Sequence, residues 1–292
     1  MTAAERGRVR TIPAGLGWLP VVVVAIEITI TYARIPAHEL YHVNGTGVAP
    51  GFSRALVFLN FPLALVALPL ILLAAERLRP RRFAVPAAVV AAVLCGVVFW
   101  PGVVDQANLD AKPINAAPAV GVVLAFILIV AAGFLRAPAK IDTPVAAAIA
   151  LLAFLALPWL AADLGFFLDD VPVLGSIFLT GKIVDGHPAV HHGHHHGMDG
   201  VLLVVAGLTT IAVLRHAHAP VLRAAVATYL GLRIAYGLGN VANDAWLEQV
   251  VKRGWTTFTI PNVLRPGFTL AWLGIATAAA AFSVLVRRRA ER

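Results

Sequence analysis

Apolar stretches close to helical membrane-crossing length alternate along this chain with short polar connections. Crossing a hydrocarbon core of about 30 Å takes roughly 20 apolar residues in a helix. Eight stretches approach that length: 15–35, 55–76, 84–104, 116–135, 144–167, 199–215, 220–240 and 266–286. The pattern predicts an all-α fold, a polytopic integral membrane helix bundle of about eight transmembrane helices in a single transmembrane domain over 1–292. Pro62, Pro69 and Pro158 fall inside spans, where they kink helices rather than end them. The first stretch follows Arg6, Arg8 and Arg10 as a signal sequence would. It is too long for one and has no small-x-small cleavage site, so it reads as a retained span.

Composition agrees with the pattern. Hydrophobic residues make up 60% of 292 and charged residues 13%, with a mean hydropathy of +0.84. Soluble domains run nearer half apolar and a quarter charged. The single cysteine, Cys95, lies inside an apolar run, which excludes an intrachain disulfide and a thiolate metal site.

A net charge of +8 would fit nucleic acid, but its distribution gives another meaning. With the N-terminus placed in the cytoplasm, eight crossings put 15 of the 23 basic residues on the cytoplasmic side, among them Arg77, Arg79, Arg81, Arg82, Arg136, Lys140, Arg215 and Arg287–Arg289. Arg34, Arg54, Lys112, Lys182, Lys252, Arg253 and Arg265 fall outside, and Arg233 falls within a span. Most acidic residues gather outside. This is the positive-inside pattern, with both termini cytoplasmic. It predicts a multi-pass protein of the cell (plasma or inner) membrane, with membrane lipids as partners and no nucleic acid.

Both main histidine-bearing loops, 36–53 and 168–198, then lie outside the cytoplasm. Six of the ten histidines sit in 187–196: His187, His191, His192, His194, His195 and His196. Neutral imidazole is a common ligand for transition metals. If Asp185-Gly186 caps a helix and Pro188 enters its first turn, His187, His191 and His195 share one face; Gly193 and Gly197 favour a looser loop with the same donors. Asp199 supplies an oxygen ligand or orients an imidazole. The alternatives are a solvated loop without metal and a loop that titrates with external pH.

His38-Glu39-Leu40-Tyr41-His42 resembles the zincin signature H-E-x-x-H over five residues. The resemblance implies zinc held by His38 and His42, with Glu39 activating water. His187-x-x-x-His191-His192 and His38-x-x-x-His42 are also similar to the histidine boxes of membrane fatty-acid desaturases. Those families carry three boxes on the cytoplasmic side, whereas this chain has two, both predicted outside.

Charges inside spans complete the candidates. Glu27 lies in the first span and Arg233 in the seventh, where an ionisable group costs several kcal/mol unless paired. The two are expected to face each other or share a polar cavity. Tyr229, Arg233, Tyr236 and Asn240 form one stripe of the seventh span. A purely structural polar network is the alternative.

The candidate function is a metal-dependent membrane enzyme acting on a lipid or lipid-linked substrate at the outer face. It would use a divalent transition metal (Zn, Cu, Ni or Fe), with Glu39, Asp199 or Asp244 moving protons. A non-catalytic subunit or metal/pH sensor is the alternative. A divalent-cation transporter is less supported, because the helices hold few ligands. A topology reporter fused near residue 180 should be active only outside the cytoplasm; activity confined to the cell interior reverses the orientation.

Overall fold

Apolar segments in hydrocarbon must close their backbone hydrogen bonds internally, and this chain does so with helices. The computed structural model describes residues 10–40, 43–105, 108–177, 180–181, 183–188 and 196–291, and it is 71% helix. The helices are α1 (Leu19–Arg34), α2 (Val48–Leu78), α3 (Ala84–Gly96), α4 (Ala116–Ala131), α5 (Thr143–Asp163), α6 (Leu174–Ile177), α7 (His196–Leu214), α8 (Pro220–Trp246) and α9 (Leu270–Ala290). Among the described residues, seven helical segments are long and apolar enough to cross a membrane, which points to a membrane-embedded protein. Val89, Val93, Val123, Ile127, Leu151 and Phe154 face outward, the reverse of a water-soluble surface.

Three boundaries differ from the hydropathy reading by more than a helical turn. The expected span 55–76 begins at Val48, because Pro50 sits in the first turn, where its missing N–H costs nothing. The expected span 84–104 is the shorter apolar helix Ala84–Phe99. Pro101 and Gly102, the latter at φ 83°, turn the chain after it. The expected span 220–240 continues to Trp246 and then widens into a π-helical turn, Leu247–Val251.

One end of the bundle gathers the turns that carry the arginines. There β1 (Arg10–Pro13) pairs antiparallel with β2 (Pro138–Ile141), with Arg10 opposite Ile141. Arg289 meets the Asp142 carboxylate at 2.9 Å and the Lys140 carbonyl at 3.2 Å. The Glu76 carboxylate accepts from the amides of His218 at 3.0 Å and Ala219 at 2.7 Å, which ties the end of α2 to the start of α8. At the opposite end Arg34 pairs with Asp185, Arg54 with Asp110, and Lys112 with Asp105.

Helix α7 is the axis and is buried along most of its length. Lipid tails are as apolar as leucine, so helices associate through close backbone approach rather than apolar burial. Glycines allow that approach. A Cβ at Gly200 of α7 would lie 2.5 Å from the Gly237 carbonyl oxygen of α8, and one at Gly231 would lie 2.6 Å from the Ala279 carbonyl of α9. Gly200→Val and Gly231→Val should each lower stability by about 1–3 kcal/mol through overpacking. Gly274, where an added Cβ would meet nothing within 4 Å, should accept alanine without loss. Thermal unfolding in detergent checks all three.

Candidate functional site

Pro69 has no amide to give the Leu65 carbonyl four residues earlier. That carbonyl accepts instead from the Tyr229 hydroxyl at 2.8 Å and from Arg233 Nη1 at 3.4 Å. Arg233 also donates to the Val66 carbonyl at 3.5 Å and to Thr210 Oγ1 at 3.3 Å. The guanidinium is therefore held by dipoles of α2 and α7. The expected facing of Glu27 and Arg233 is not what the bundle builds. Glu27, fully buried, lies beside Asp163 and near Asp199. Span depth brought the two charges to one level, but packing turned them to different neighbours.

A cavity of about 240 Å³ opens between α2, α7, α8 and two loops at the end opposite the arginines. His196 and Asp199 line it from the first turn of α7, three residues apart and so on one helical face. Tyr236 and Asn240 line it from α8, Phe58 and Phe61 from α2, Asp105 and Leu109 from one loop, and Leu264 and Arg265 from another. Asp244 stands behind this wall. Its carboxylate accepts the Gly197 amide at 2.8 Å, satisfying a donor at the start of α7 from the neighbouring helix. Gly197 is required there, because a side chain would strike the Trp159 ring and lie 2.9 Å from Asp244 Oδ2.

The Arg265 wall is a segment that hydropathy read as an outer loop. Trp246 Nε1 donates to the Phe258 carbonyl at 2.8 Å, Asn243 Nδ2 to Ile260 at 3.0 Å, and the Tyr236 hydroxyl to Leu264 at 3.1 Å. These three bonds run the chain back down α8, antiparallel to it. Non-helical backbone at such depth is tolerated where it lines a cavity. Beside the cavity lies an apolar groove of about 350 Å³. Phe61, Tyr236 and Leu264 line both spaces, and Leu65, Phe99, Leu232, Arg233 and Trp272 line the groove alone.

The outer loops form a separate network. Asp185 at φ 53° and Gly186 at φ 80° join β3 (Ile183–Val184) to β4 (His187–Pro188). Successive positive φ values with Asp-Gly make a hairpin turn rather than a helix cap, so the helical reading that starts at His187 is corrected. Glu39 Oε2 accepts the Asp185 amide at 2.6 Å, and Asp185 pairs with Arg34. His187 stacks on Phe167 at 4.2 Å, and its Nδ1 lies 3.1 Å from Asp169 Oδ2. The two histidine-bearing loops thus meet at Glu39 and Asp185. Ala37–Glu39 is a single 3-10 turn and Leu40 is extended, so exposed His38 is not on an α-helical face.

Of the expected site residues, the structure gathers His196, Asp199, Tyr236 and Asn240 on one cavity, with Asp244 and Glu27 behind it. Glu39 and His187 join the outer network, and Arg233 lines the groove. His42, His191, His192, His194 and His195 lie outside the described residues. Among the described residues no group of three or more His, Cys, Asp or Glu is placed to hold a metal ion. The sequence reading passed over Arg54, whose buried guanidinium pairs with Asp110 and lies 5.2 Å over the Tyr32 ring. The signal was there: Arg54 falls six residues into an apolar run that begins at Val48.

The His187 hydrogen bond holds the Asp169 carboxyl below its ordinary value. A depressed carboxylate contributes above the unfolded value near 3.9 and loses its contribution as pH falls through the lowered one. Hydrogen exchange at 183–188, corrected for intrinsic rate, should show protection at neutral pH that disappears in acid. Asp169→Asn should lack it at both; unchanged protection in the variant removes the tie. No protein-family model, curated protein or solved structure matches this chain.

Proposed function

We propose that this is a multi-pass cell-membrane protein, crossing eight times with both termini cytoplasmic, that acts on a lipid or lipid-linked substrate at the outer face. One observation carries the reading: a cavity that sets His196, Asp199, Asp105 and Arg265 among apolar side chains adjoins a groove that is almost wholly apolar, the two sharing Phe61, Tyr236 and Leu264. An amphiphile has that division. The arginine-bearing turns gathered at the other end support the orientation through the positive-inside pattern.

In this reading His196 and Asp199 face the substrate head and move the proton. Asp244 acts through the Gly197 amide and is a positioning residue. Glu39 serves likewise, because its carboxylate is committed to the Asp185 amide and orients the hairpin leading into the histidine-rich segment. A divalent transition metal, held by His196 with partners from His191–His195, would supply Lewis acidity at the cavity mouth. His196 and Asp199 fit such a set, being two donors on one helical face. The His187–Asp169 pair favours a second reading, a sensor whose outer loops respond to pH or metal.

Metal analysis of detergent-purified protein separates these outcomes. About one ion per chain should be present, and it should be lost when His191, His192, His194, His195 and His196 are all alanine. Near-zero metal in both proteins removes the metal-dependent reading.

A further inference from the structure

The walls of the cavity carry opposite charges that do not meet. Asp199 faces the space from α7 and Arg265 from the re-entrant segment. Among the described residues, neither has a hydrogen-bond or ion-pair partner, while four other basic residues at this end are matched. Arg34 has Asp185, Arg54 has Asp110, Lys112 has Asp105 at 2.6 Å, and Lys252 has Glu248 at 2.7 Å. Matching at those positions makes the unmatched pair informative. Glu27 and Asp244 lie close to Asp199 on that wall.

The groove adds a third point. Arg233 is 3% exposed, yet its contacts to oxygen are 3.3–3.5 Å, the weak end of the hydrogen-bond range, and its Nε has no partner among the described residues. It lies one helical turn below Tyr236, a residue common to both spaces. The groove rim, with Phe99 58% and Leu232 42% exposed, faces the surrounding hydrocarbon.

We infer that this site selects a phospholipid with a primary-ammonium head. The phosphate sits against Arg265, where a guanidinium offers paired donors to its oxygens. The ammonium sits against Asp199, donating N–H bonds that a quaternary amine lacks. The ester carbonyls reach Arg233, and the chains follow the groove. The inference rests on the lipid reading above and names its substrate class, with Asp199 given to the ammonium rather than to a metal.

Native mass spectrometry of the full chain in detergent tests it, using dioleoyl phosphatidylethanolamine, phosphatidylglycerol and phosphatidylcholine, with dioleoylglycerol as a headless control. Phosphatidylethanolamine should be retained at least tenfold better than the other three. Arg265→Gln, in an exposed segment, should weaken every phospholipid and leave dioleoylglycerol unchanged. Asp199→Asn should abolish the preference for phosphatidylethanolamine over phosphatidylglycerol. Phosphatidylglycerol or phosphatidylcholine bound as well as phosphatidylethanolamine overturns this inference and leaves the lipid reading standing. Failure to retain any of the four lipids overturns both.

Discussion

A carbonyl stranded inside hydrocarbon has to find a donor on another segment, and much of this bundle is organised by that demand. Pro69 strands the Leu65 oxygen in the middle of the longest helix, and Tyr229 and Arg233 of α8 answer it. That answer fixes the rotation of α8. With Arg233 turned toward α2, Tyr236 and Asn240 fall on the cavity wall, and Gly231, Gly237 and Gly239 fall where neighbouring segments approach. A charge at this depth costs several kcal/mol without partners, so the carbonyl and the guanidinium each resolve the other's difficulty.

The same economy operates at helix ends. The Gly197 amide at the start of α7 is satisfied by Asp244, and the amides of His218 and Ala219 before α8 by Glu76. Both carboxylates come from a different helix than the one they serve. Each bond therefore fixes an end and an inter-helix register together. Asp199 stands apart from this scheme, close to Gly197 in the first turn and facing the cavity.

Span positions were legible in hydropathy because bilayer thickness imposes a length on every crossing. Azimuth was not. Glu27 and Arg233 could be assigned a depth, but the side each faces depends on Pro69, on Asp163 and on glycine contacts that no periodicity records. Arg54 was hidden by a boundary error, since starting α2 at 55 left it in a loop. Asp185-Gly186 has the composition of both a helix cap and a hairpin turn, and only the positive φ values decide between them. The Phe258–Leu264 segment carries too few consecutive apolar residues to register as packed along a span, and of its residues only Val263 is buried. Its place depends on the side chains of Trp246, Asn243 and Tyr236 of α8, and only Tyr236 belongs to the polar stripe that helical spacing predicts.

That hanging segment gives the molecule an unusual division of labour. Its attachment to α8 runs through side chains, while the helices beside it are fastened backbone to backbone through glycine. Substitutions along residues 258–266 can therefore reshape one wall of the chamber without disturbing any crossing.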